Sequence, residues 1–389
     1  MTARRHGHVN LAQALAEEFT GTAASYDRSG AFPFENFARL RQSGLLALTV
    51  PSEFGGSGAG LADAASVVGT IAAGEPSTAL VLAMQYIQHA ALARSERWPR
   101  HLYAFVAREA ANSGALINAL RVEPELGTPA RGGLPATVAE RIAGGWRLTG
   151  HKIYCTGAPI LRWLLVWART QDEPVRVGFW LVPAEMPGVR IVETWDQLGM
   201  RATGSHDILL EGATVPDDYA VDIRLPEDWA APDAENAAWS TVVIAALYHG
   251  IATSARDWLV RYLNQRKPAN LGAALATVPR IQEAVGEIEA MLYASDQILA
   301  ATTSTVDRQG RLPTPSESGL TKFVVTNNAI HAVERAVSLV GNAGLARANP
   351  LERHYRDLLC SRIHTPQNDS ALTAAGRAAL VIDQRRDSQ

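Results

Sequence analysis

Cysteine is scarce in this sequence, and so is any surplus of charge. Only Cys155 and Cys360 occur among 389 residues, too far apart for the spacing of a metal site and too few for a disulfide framework. Lysine and arginine number 36 against 39 aspartates and glutamates, and no segment concentrates basic charge, so nucleic acid is not an expected partner. The shortage of thiols predicts a reducing, cytoplasmic setting.

Long apolar runs are also missing. The richest, Thr241 to Leu247, is far shorter than the ~20 residues that a membrane-spanning helix needs, so we expect no membrane contact. Met1 to Asn10 carries basic side chains without an apolar stretch behind them, which is unlike a secretory signal. The composition itself is globular, with 47% hydrophobic and 19% charged residues, in a chain too long for one hydrophobic core.

Residues 1–115 predict a helical domain, because apolar residues recur there at helical spacing in four segments. A Gly-rich turn, Pro51 to Gly60, separates the second segment from the third. It lacks the preceding strand and following helix of a phosphate-binding loop, so we interpret it as structural. The predicted helices are Leu11 to Phe19, Phe34 to Gly44, Leu61 to Gly74 and Ser77 to Ala93.

Residues 116–231 have a different pattern, in which short runs of β-branched and aromatic residues alternate with turns. This pattern is typical of a small antiparallel sheet with a barrel-like form. The predicted strands include Trp146 to Leu148, Leu164 to Ala168, Val177 to Val182, Val189 to Val192 and Ile208 to Leu210.

Residues 232–389 return to long helical patterns joined by short connections, which predicts a C-terminal four-helix bundle. The fold class is therefore α+β and multidomain, with an N-terminal helical domain, a central β-domain and this bundle. The predicted bundle helices are Trp239 to Asn264, Val278 to Val306, Ser316 to Val340 and Leu351 to Ile363.

Five local motifs follow one another along the chain. In order, they are FPFENFARLRQSGLLALTVPSEFGGSG, VEPELGTP (Val122 to Pro129), WRLTGHKIYCTGA (Trp146 to Ala158), LGMRATGSHDILLEGATVP (Leu198 to Pro216) and LVGNAGLARANPLERHYRD (Leu339 to Asp357). In this order and at this spacing they resemble the acyl-CoA dehydrogenase superfamily over nearly the whole chain. The resemblance implies bound FAD in a homo-oligomer, a dimer or tetramer, with the flavin ring between the β-domain and the C-terminal helices.

The resemblance also implies cofactor-binding residues. Tyr154 takes the place of a tryptophan that stacks on the flavin, and Thr156 matches a threonine that hydrogen-bonds the ring near its hydride-accepting nitrogen. Both could also be ordinary strand residues. Arg266 stands where an arginine reaches the FAD pyrophosphate of a neighbouring subunit, although it could be a helix-end cation. The remaining cofactor positions implied are Val122, Cys155, Gln282 and Gly341.

The proton-abstracting carboxylate of the resembled family is missing. Dehydrogenation of a thioester needs a base beside the substrate carbon, but the family's usual glutamate falls on Thr365 and its second known location falls on Ser240. The substrate-contacting arginine and serine of the family correspond to Thr241 and Thr128. Asp369 or Glu235 could supply the acid instead.

His364 is the alternative candidate for the catalytic residue. The flavin monooxygenases of the same superfamily, such as dibenzothiophene monooxygenase, carry a histidine in this segment and no glutamate, and KIYCTGA resembles their Y-S-T-G with Cys155 at the serine position. A histidine that titrates near neutrality can donate or accept a proton during oxygen transfer. It could also merely cap the carbonyls of a helix end.

Three functions are therefore open. The first is an FAD-dependent, acyl-CoA dehydrogenase-like oxidoreductase that acts on an acyl thioester and passes electrons to an electron-transfer flavoprotein. The second is a monooxygenase that uses His364 and receives reduced flavin, FMN or FAD, from a flavin reductase. The third is a non-catalytic flavin-binding or scaffold homologue.

Overall fold

The structure is a computed structural model that describes residues 2–127, 133–231 and 233–380, with side chains from residue 7 onward. Within these ranges helices come first, strands second and helices again last. The helices are α1 (Thr2–Ser29), α2 (Phe34–Gln42), α3 (Leu61–Gly74), α4 (Pro76–Arg94), α5 (Arg100–Ser113), α6 (Ala234–Gln265), α7 (Pro279–Gln309), α8 (Pro315–Val340), α9 (Asn342–Leu345), α10 (Leu351–Leu359) and α11 (Asn368–Ala379).

The predicted helices all form, and α3 has the predicted bounds. Helix α1 extends well beyond the predicted Leu11 to Phe19. Helix α5 was missed, although residues 102, 103, 106, 107 and 110 are spaced as one buried face. The last predicted helix stops at Leu359 and continues as a 3₁₀ turn, Cys360–Arg362. None of the described helices is both long enough and apolar enough to span a bilayer.

The middle of the chain forms an eight-stranded sheet. The strands are β1 (Leu116–Leu120), β2 (Val138–Ile142), β3 (Gly145–Lys152), β4 (Leu161–Thr170), β5 (Val177–Pro183), β6 (Val189–Val192), β7 (Asp207–Pro216) and β8 (Ala220–Arg224). They lie in the order β6-β7-β3-β2-β4-β5-β8, with β1 added to β4. The predicted α+β class with a central β-domain is confirmed.

Two strand pairings differ from the antiparallel prediction. Strand β4 lies parallel to both β1 and β2, whereas the other pairs are antiparallel. Parallel neighbours bury both faces and read as continuous apolar runs. Strand β4 has this character, since six of its residues in a row, Trp163 to Ala168, are buried.

Helix α6 is the central element of the helical part, because it packs against α3, α4, α7, α8 and α10. Its approach to α3 is unusually close. A Cβ atom placed on Gly250 would lie 2.0 Å from the carbonyl oxygen of Gly69, so no larger residue fits there. This crossing fixes α6 against the N-terminal helices, and the long helix then carries side chains from one end of the bundle to the other.

A buried ion pair fastens the segment after β1 to the end of β3. Lys152 is fully buried and donates to the carboxylate of Glu123 and to the carbonyl of Trp167. The same carboxylate accepts from the backbone of Ala136 and Thr137. Burial raises the pKa of Glu123, but Lys152 and these donors outweigh burial and hold it below its usual range. The pair thus fixes where the chain leaves β3.

Replacing Lys152 with methionine should leave the buried carboxylate of Glu123 unpaired, because Lys152 is its only buried cationic partner among the described residues. We expect a loss of about 3–5 kcal/mol in the free energy of unfolding, measured by urea denaturation. The double variant K152M/E123Q should recover most of it. Arg147→Met, which breaks an exposed pair with Glu140, is the control and should cost under about 1 kcal/mol. Equal costs for the two single variants would contradict this account.

Candidate functional site

The segment after β3 presents Tyr154 at the surface. Its φ of 57° lies in the left-handed region, which tyrosine rarely adopts, and its side chain is 56% exposed. Thr156 N–H donates to the Tyr154 carbonyl, and Ile153 N–H donates to the Val122 carbonyl at 3.0 Å. The alternative that Tyr154 and Thr156 are ordinary strand residues is therefore wrong, because β3 ends before them. Strand β3 ends at Lys152, because the left-handed Tyr154 breaks the extended backbone.

Gly157 completes this turn. Its φ is +81°, and an added Cβ would lie 2.9 Å from Cγ1 of Val81 on α4, so the turn needs glycine. Cys155 faces inward and is buried, and burial raises the pKa of its thiol. A buried, protonated thiol is inert. Any contact of Cys155 with a cofactor would therefore involve its backbone, whereas Tyr154 and Thr156 offer side chains.

A chain of hydroxyl groups lies behind Thr156. Ser205 Oγ donates to Thr156 Oγ1 at 3.0 Å, and Thr203 Oγ1 lies 2.8 Å from Ser205 Oγ. Thr203 Oγ1 donates its single proton to the carbonyl of Met200 at 3.0 Å, and Ser205 donates its own proton to Thr156. Thr156 then keeps its own proton for an acceptor outside the chain.

An aromatic pair borders the same turn. The ring centroids of Tyr154 and Trp195 are 6.3 Å apart, and the ring planes meet at 81°. Trp195 Nε1 donates to the carbonyl of Met200. A flavin ring needs a flat apolar wall and hydrogen-bond donors at its edge. The exposed Tyr154 ring and the available Thr156 proton meet both needs, so this donor set fits a flavin.

Helix α10 holds the loop that carries these hydroxyls. The Asp357 carboxylate accepts from Met200 N–H at 2.7 Å, and Arg356 donates to the Leu198 carbonyl at 2.8 Å. Burial raises the pKa of Asp357 to about 7, against the lowering effect of the Met200 hydrogen bond. The loop from 198 to 205 and the C-terminal helices therefore form one continuous wall.

His364 lies beyond α10, facing α6 and α8. Its ring is 5.8 Å from the ring of Tyr248, whose buried hydroxyl has no partner among the described residues. Lys322 donates to the carbonyls of His364 and Pro366 at 2.7 and 2.8 Å and so holds this segment in place. Desolvation, with Lys322 nearby, lowers the pKa of His364 to about 4. The imidazole is therefore neutral at pH 7.

The positions expected to carry the base, Thr365 and Ser240, and those expected to contact the substrate, Thr241 and Thr128, all hold hydroxyl side chains. Ser240 and Thr241 both donate to carbonyls one turn back on α6, at 2.8 and 2.7 Å. Thr365 is exposed next to His364. Thr128 lies outside the described residues.

The two carboxylates considered as substitutes are engaged elsewhere. Glu235 pairs with Arg94 at 3.0 Å at the start of α6. Asp369 is exposed in the first turn of α11, where it accepts from Ser370 N–H. Neither contact involves the Tyr154 turn. The absence of a catalytic carboxylate therefore stays a prediction that these two residues do not contradict.

Arg266, Gln282 and Gly341 gather at the opposite end of the bundle. Arg266 follows α6, Gln282 lies in the first turn of α7, and Gly341 follows α8. From Tyr248 to Arg266 there are 18 helical residues, about 27 Å. Arg266 therefore lies far from the contact between Tyr248 and His364 within one chain. The arrangement agrees with the expectation that Arg266 serves a neighbouring subunit, which stays a prediction.

Several residues of the site escaped the sequence analysis. Ser205 and Trp195 lie in or beside a recognised motif, and Lys322 is the only lysine of α8. Tyr248 looks like a core residue in the sequence, and Asp357 ends the last recognised motif without having been assigned a role. Their roles depend on contacts between segments far apart in the chain, which no local pattern contains.

The neutral state of His364 predicts a pH-dependent stability. The unfolded chain binds a proton at this residue below its ordinary pKa of 6.5, whereas the folded chain resists protonation until about pH 4. Stability should therefore fall as the pH drops from about 6.5 to 4. His364→Asn should reduce this fall by about 2 kcal/mol, less than the full shift because the ring keeps partial solvent access.

Urea denaturation of wild type and variant at several pH values measures the difference. The variant leaves Tyr248 and Lys322, the groups that face the ring, unchanged. Other buried histidines titrate alike in both proteins and cancel. Parallel curves between pH 4 and 6.5 would show that the ring is not desolvated.

Comparison with known proteins now identifies the family. Models of the acyl-CoA dehydrogenase N-terminal, middle and C-terminal domains match residues 9–95, 121–213 and 242–368. "Putative acyl-CoA dehydrogenase YdbM" of Bacillus subtilis (strain 168) is 35% identical over 92% of this chain and 92% of its own length. L-evernosamine nitrososynthase of Micromonospora sp. is 30% identical over 97% of this chain and 91% of its own.

Among solved structures, KijD3 in complex with FMN and a dTDP-3-amino-4-keto sugar superposes with a TM-score of 0.84. It is 29% identical and covers 99% of this chain and 95% of its own. The predicted resemblance and the predicted enzyme class, a flavin-dependent oxidoreductase, are thereby confirmed. This chain belongs to the acyl-CoA dehydrogenase family.

Proposed function

We propose that the chain is a reduced-flavin-dependent monooxygenase that oxidises a substrate amine. The observation that carries this proposal is the lack of a carboxylate at the two expected base positions, Thr365 and Ser240, together with a neutral imidazole at His364. An acyl-CoA dehydrogenase needs a carboxylate base at one of these positions. Oxygen transfer instead needs hydrogen-bond donors and acceptors, which a neutral imidazole and the Thr156 hydroxyl provide.

The relatives support an amine as the substrate class. L-evernosamine nitrososynthase is named for nitrogen oxidation of an amino sugar, and KijD3 was solved with FMN and an amino sugar nucleotide. Both align over nearly the whole of this chain at 29–30% identity. The YdbM name favours the dehydrogenase instead, but the missing base weighs against that reading. A reductase that supplies reduced FMN or FAD is the partner this function requires.

Each residue of the wall has a part in this proposal. Reduced flavin would supply two electrons to dioxygen, so that one oxygen atom enters the amine as a hydroxyl and the other leaves as water. Tyr154 packs against the flavin ring, and Thr156 donates its free proton to the ring edge. Neutral His364 holds a proton on one ring nitrogen and accepts at the other. Lys322 keeps it in place through the backbone.

The test supplies the purified protein with FMN, a flavin reductase, NADH and a panel of amines under air. We expect oxygen uptake and a hydroxylamine product, detected by mass spectrometry. His364→Asn should lower product formation about 100-fold, the order of a lost proton-transfer group, while hydrogen peroxide release persists. His331→Asn, an exposed histidine on α8, is the matched control and should behave as wild type.

An anaerobic titration with acyl-CoA thioesters provides the opposing outcome. The proposed monooxygenase should leave the absorbance of oxidised flavin unchanged. Bleaching by an acyl-CoA, followed by reoxidation with an electron-transfer flavoprotein, would overturn the proposal and establish a dehydrogenase with a relocated base. Failure to bind any flavin would favour the scaffold reading.

A further inference from the structure

A second cavity, separate from the Tyr154 turn, is lined by arginines. Its volume is about 570 Å³, in the range of small-molecule sites. It lies between the C-terminal part of α1, the loop from 198 to 201 and the segment that enters α10, whereas His364 follows the other end of α10. The arginines that line it are Arg28, Arg201, Arg347, Arg353 and Arg356.

Two of these arginines already have partners. Arg356 binds the carboxylates of Asp27 and Glu352, at 2.7 and 2.8 Å for its closest contacts. Arg201 donates to the carbonyls of Asp27 and Gln197, and its ion pair with Asp196 is at the exposed edge. These contacts use both acidic residues that line the cavity. Structural ion pairing therefore explains Arg201 and Arg356. Arg353 lies close enough to the buried carboxylates of Glu75 and Asp357 to offset part of the rise that burial causes in their pKa values, but it hydrogen-bonds to neither within the described residues.

Arg28, Arg347 and Arg353 form no ion pair within the described residues. Neither Arg28 nor Arg347 has an ion-pair or hydrogen-bond partner for its side chain within residues 2–127, 133–231 and 233–380. Arg353 is 92% buried, since its relative exposure is 8%, and its Nε has no partner in the same ranges. A buried donor without an acceptor is costly, so an unpartnered guanidinium points to a ligand that completes it.

The backbone adds to this charge. Helix α10 begins at Leu351, at the cavity wall, and no side chain caps it. The first N–H groups of an uncapped helix attract anions, and guanidinium forks match phosphate oxygens better than any other side chain.

We propose that this arginine cavity binds a phosphate or diphosphate group of an organic ligand. The buried Arg353 binds the phosphate inside the cavity, and the exposed Arg28 and Arg347 bind it at the opening. The first N–H groups of α10 donate further hydrogen bonds to it. Two sources share this chemistry, the diphosphate of a nucleotide-bearing substrate and the diphosphate of a dinucleotide flavin, which would then lie here rather than at Arg266. The site does not depend on which reaction the Tyr154 turn supports, so its failure would leave the proposed monooxygenase untouched.

Isothermal titration with inorganic pyrophosphate at about 0.15 M salt tests the site, since screening at that salt removes weak surface attraction. We expect saturable 1:1 binding that weakens about tenfold or more in Arg347→Gln and in Arg353→Gln, because each loses charge-assisted hydrogen bonds. Arg347 is exposed, so its variant keeps the test valid even where the buried Arg353 variant folds poorly. Arg377→Gln, an exposed arginine on α11, is the matched control and should bind as wild type.

Competition identifies the source of the diphosphate. Displacement of pyrophosphate by FAD but not by FMN assigns the cavity to a dinucleotide flavin. Displacement by nucleoside diphosphates but not by FAD assigns it to a substrate. Absence of saturable pyrophosphate binding, or equal affinity in wild type and both arginine variants, would overturn the proposal.

Discussion

The site depends on the attachment of α10 to the loop from 198 to 205. Asp357 accepts from Met200 N–H, and the adjacent Arg356 binds the Leu198 carbonyl and the carboxylate of Asp27 on α1. Two consecutive side chains thus join the N-terminal helix, the β-domain loop and the C-terminal helices. Thr156 is hydrogen-bonded to Ser205 in this loop, and His364 follows α10. Without the junction, the positions of Thr156 and His364 relative to each other would not be fixed.

This junction carries an energetic cost that the fold tolerates. Asp357 is desolvated enough for its pKa to rise to about 7. Tyr248 and Cys360 lie close enough to interact with it, and burial raises the pKa of both groups. His364 packs against Tyr248 and is neutral at pH 7, while the nearby cations Lys322 and Arg356 are hydrogen-bonded to carbonyls or carboxylates. Uncharged hydrogen-bonding groups of this kind support the proposed oxygen transfer better than abstraction of a weakly acidic C–H proton.

The sequence alone was sufficient for the order of the parts. Helical spacing predicted α3 and α4 nearly to the residue, and five motifs in series indicated the family that comparison then confirmed. The same motifs brought Val122, Tyr154 and Thr156 to one place, as the structure has them. Counting forward from Asp357, where the last motif ends, placed the family's glutamate on Thr365, and this assignment stays a prediction.

What sequence did not predict is the conformation and pairing that non-local contacts impose. The sequence KIYCTG does not predict that its tyrosine has a left-handed backbone conformation. Gly157 belongs to the same turn, and a Cβ added to it would meet Val81 on α4, 76 positions earlier in the chain. Lys322 was not identified from the sequence, because its two carbonyl acceptors lie more than 40 residues further along the chain.

The arginine cavity is the extreme case of the same limit, since its lining comes from three separate stretches of chain. Each arginine taken alone is an ordinary surface cation, and on sequence none was singled out. In the folded protein, Arg201 and Arg356 bind the acids that line the cavity. Arg353 has only more distant buried carboxylates, Glu75 and Asp357, and its buried Nε has no acceptor among the described residues, which is costly. A fold does not keep a buried guanidinium short of acceptors for stability alone, because an apolar side chain would fill the space at lower cost. The charge is therefore better explained by an anion that comes and goes than by the packing of the chain itself.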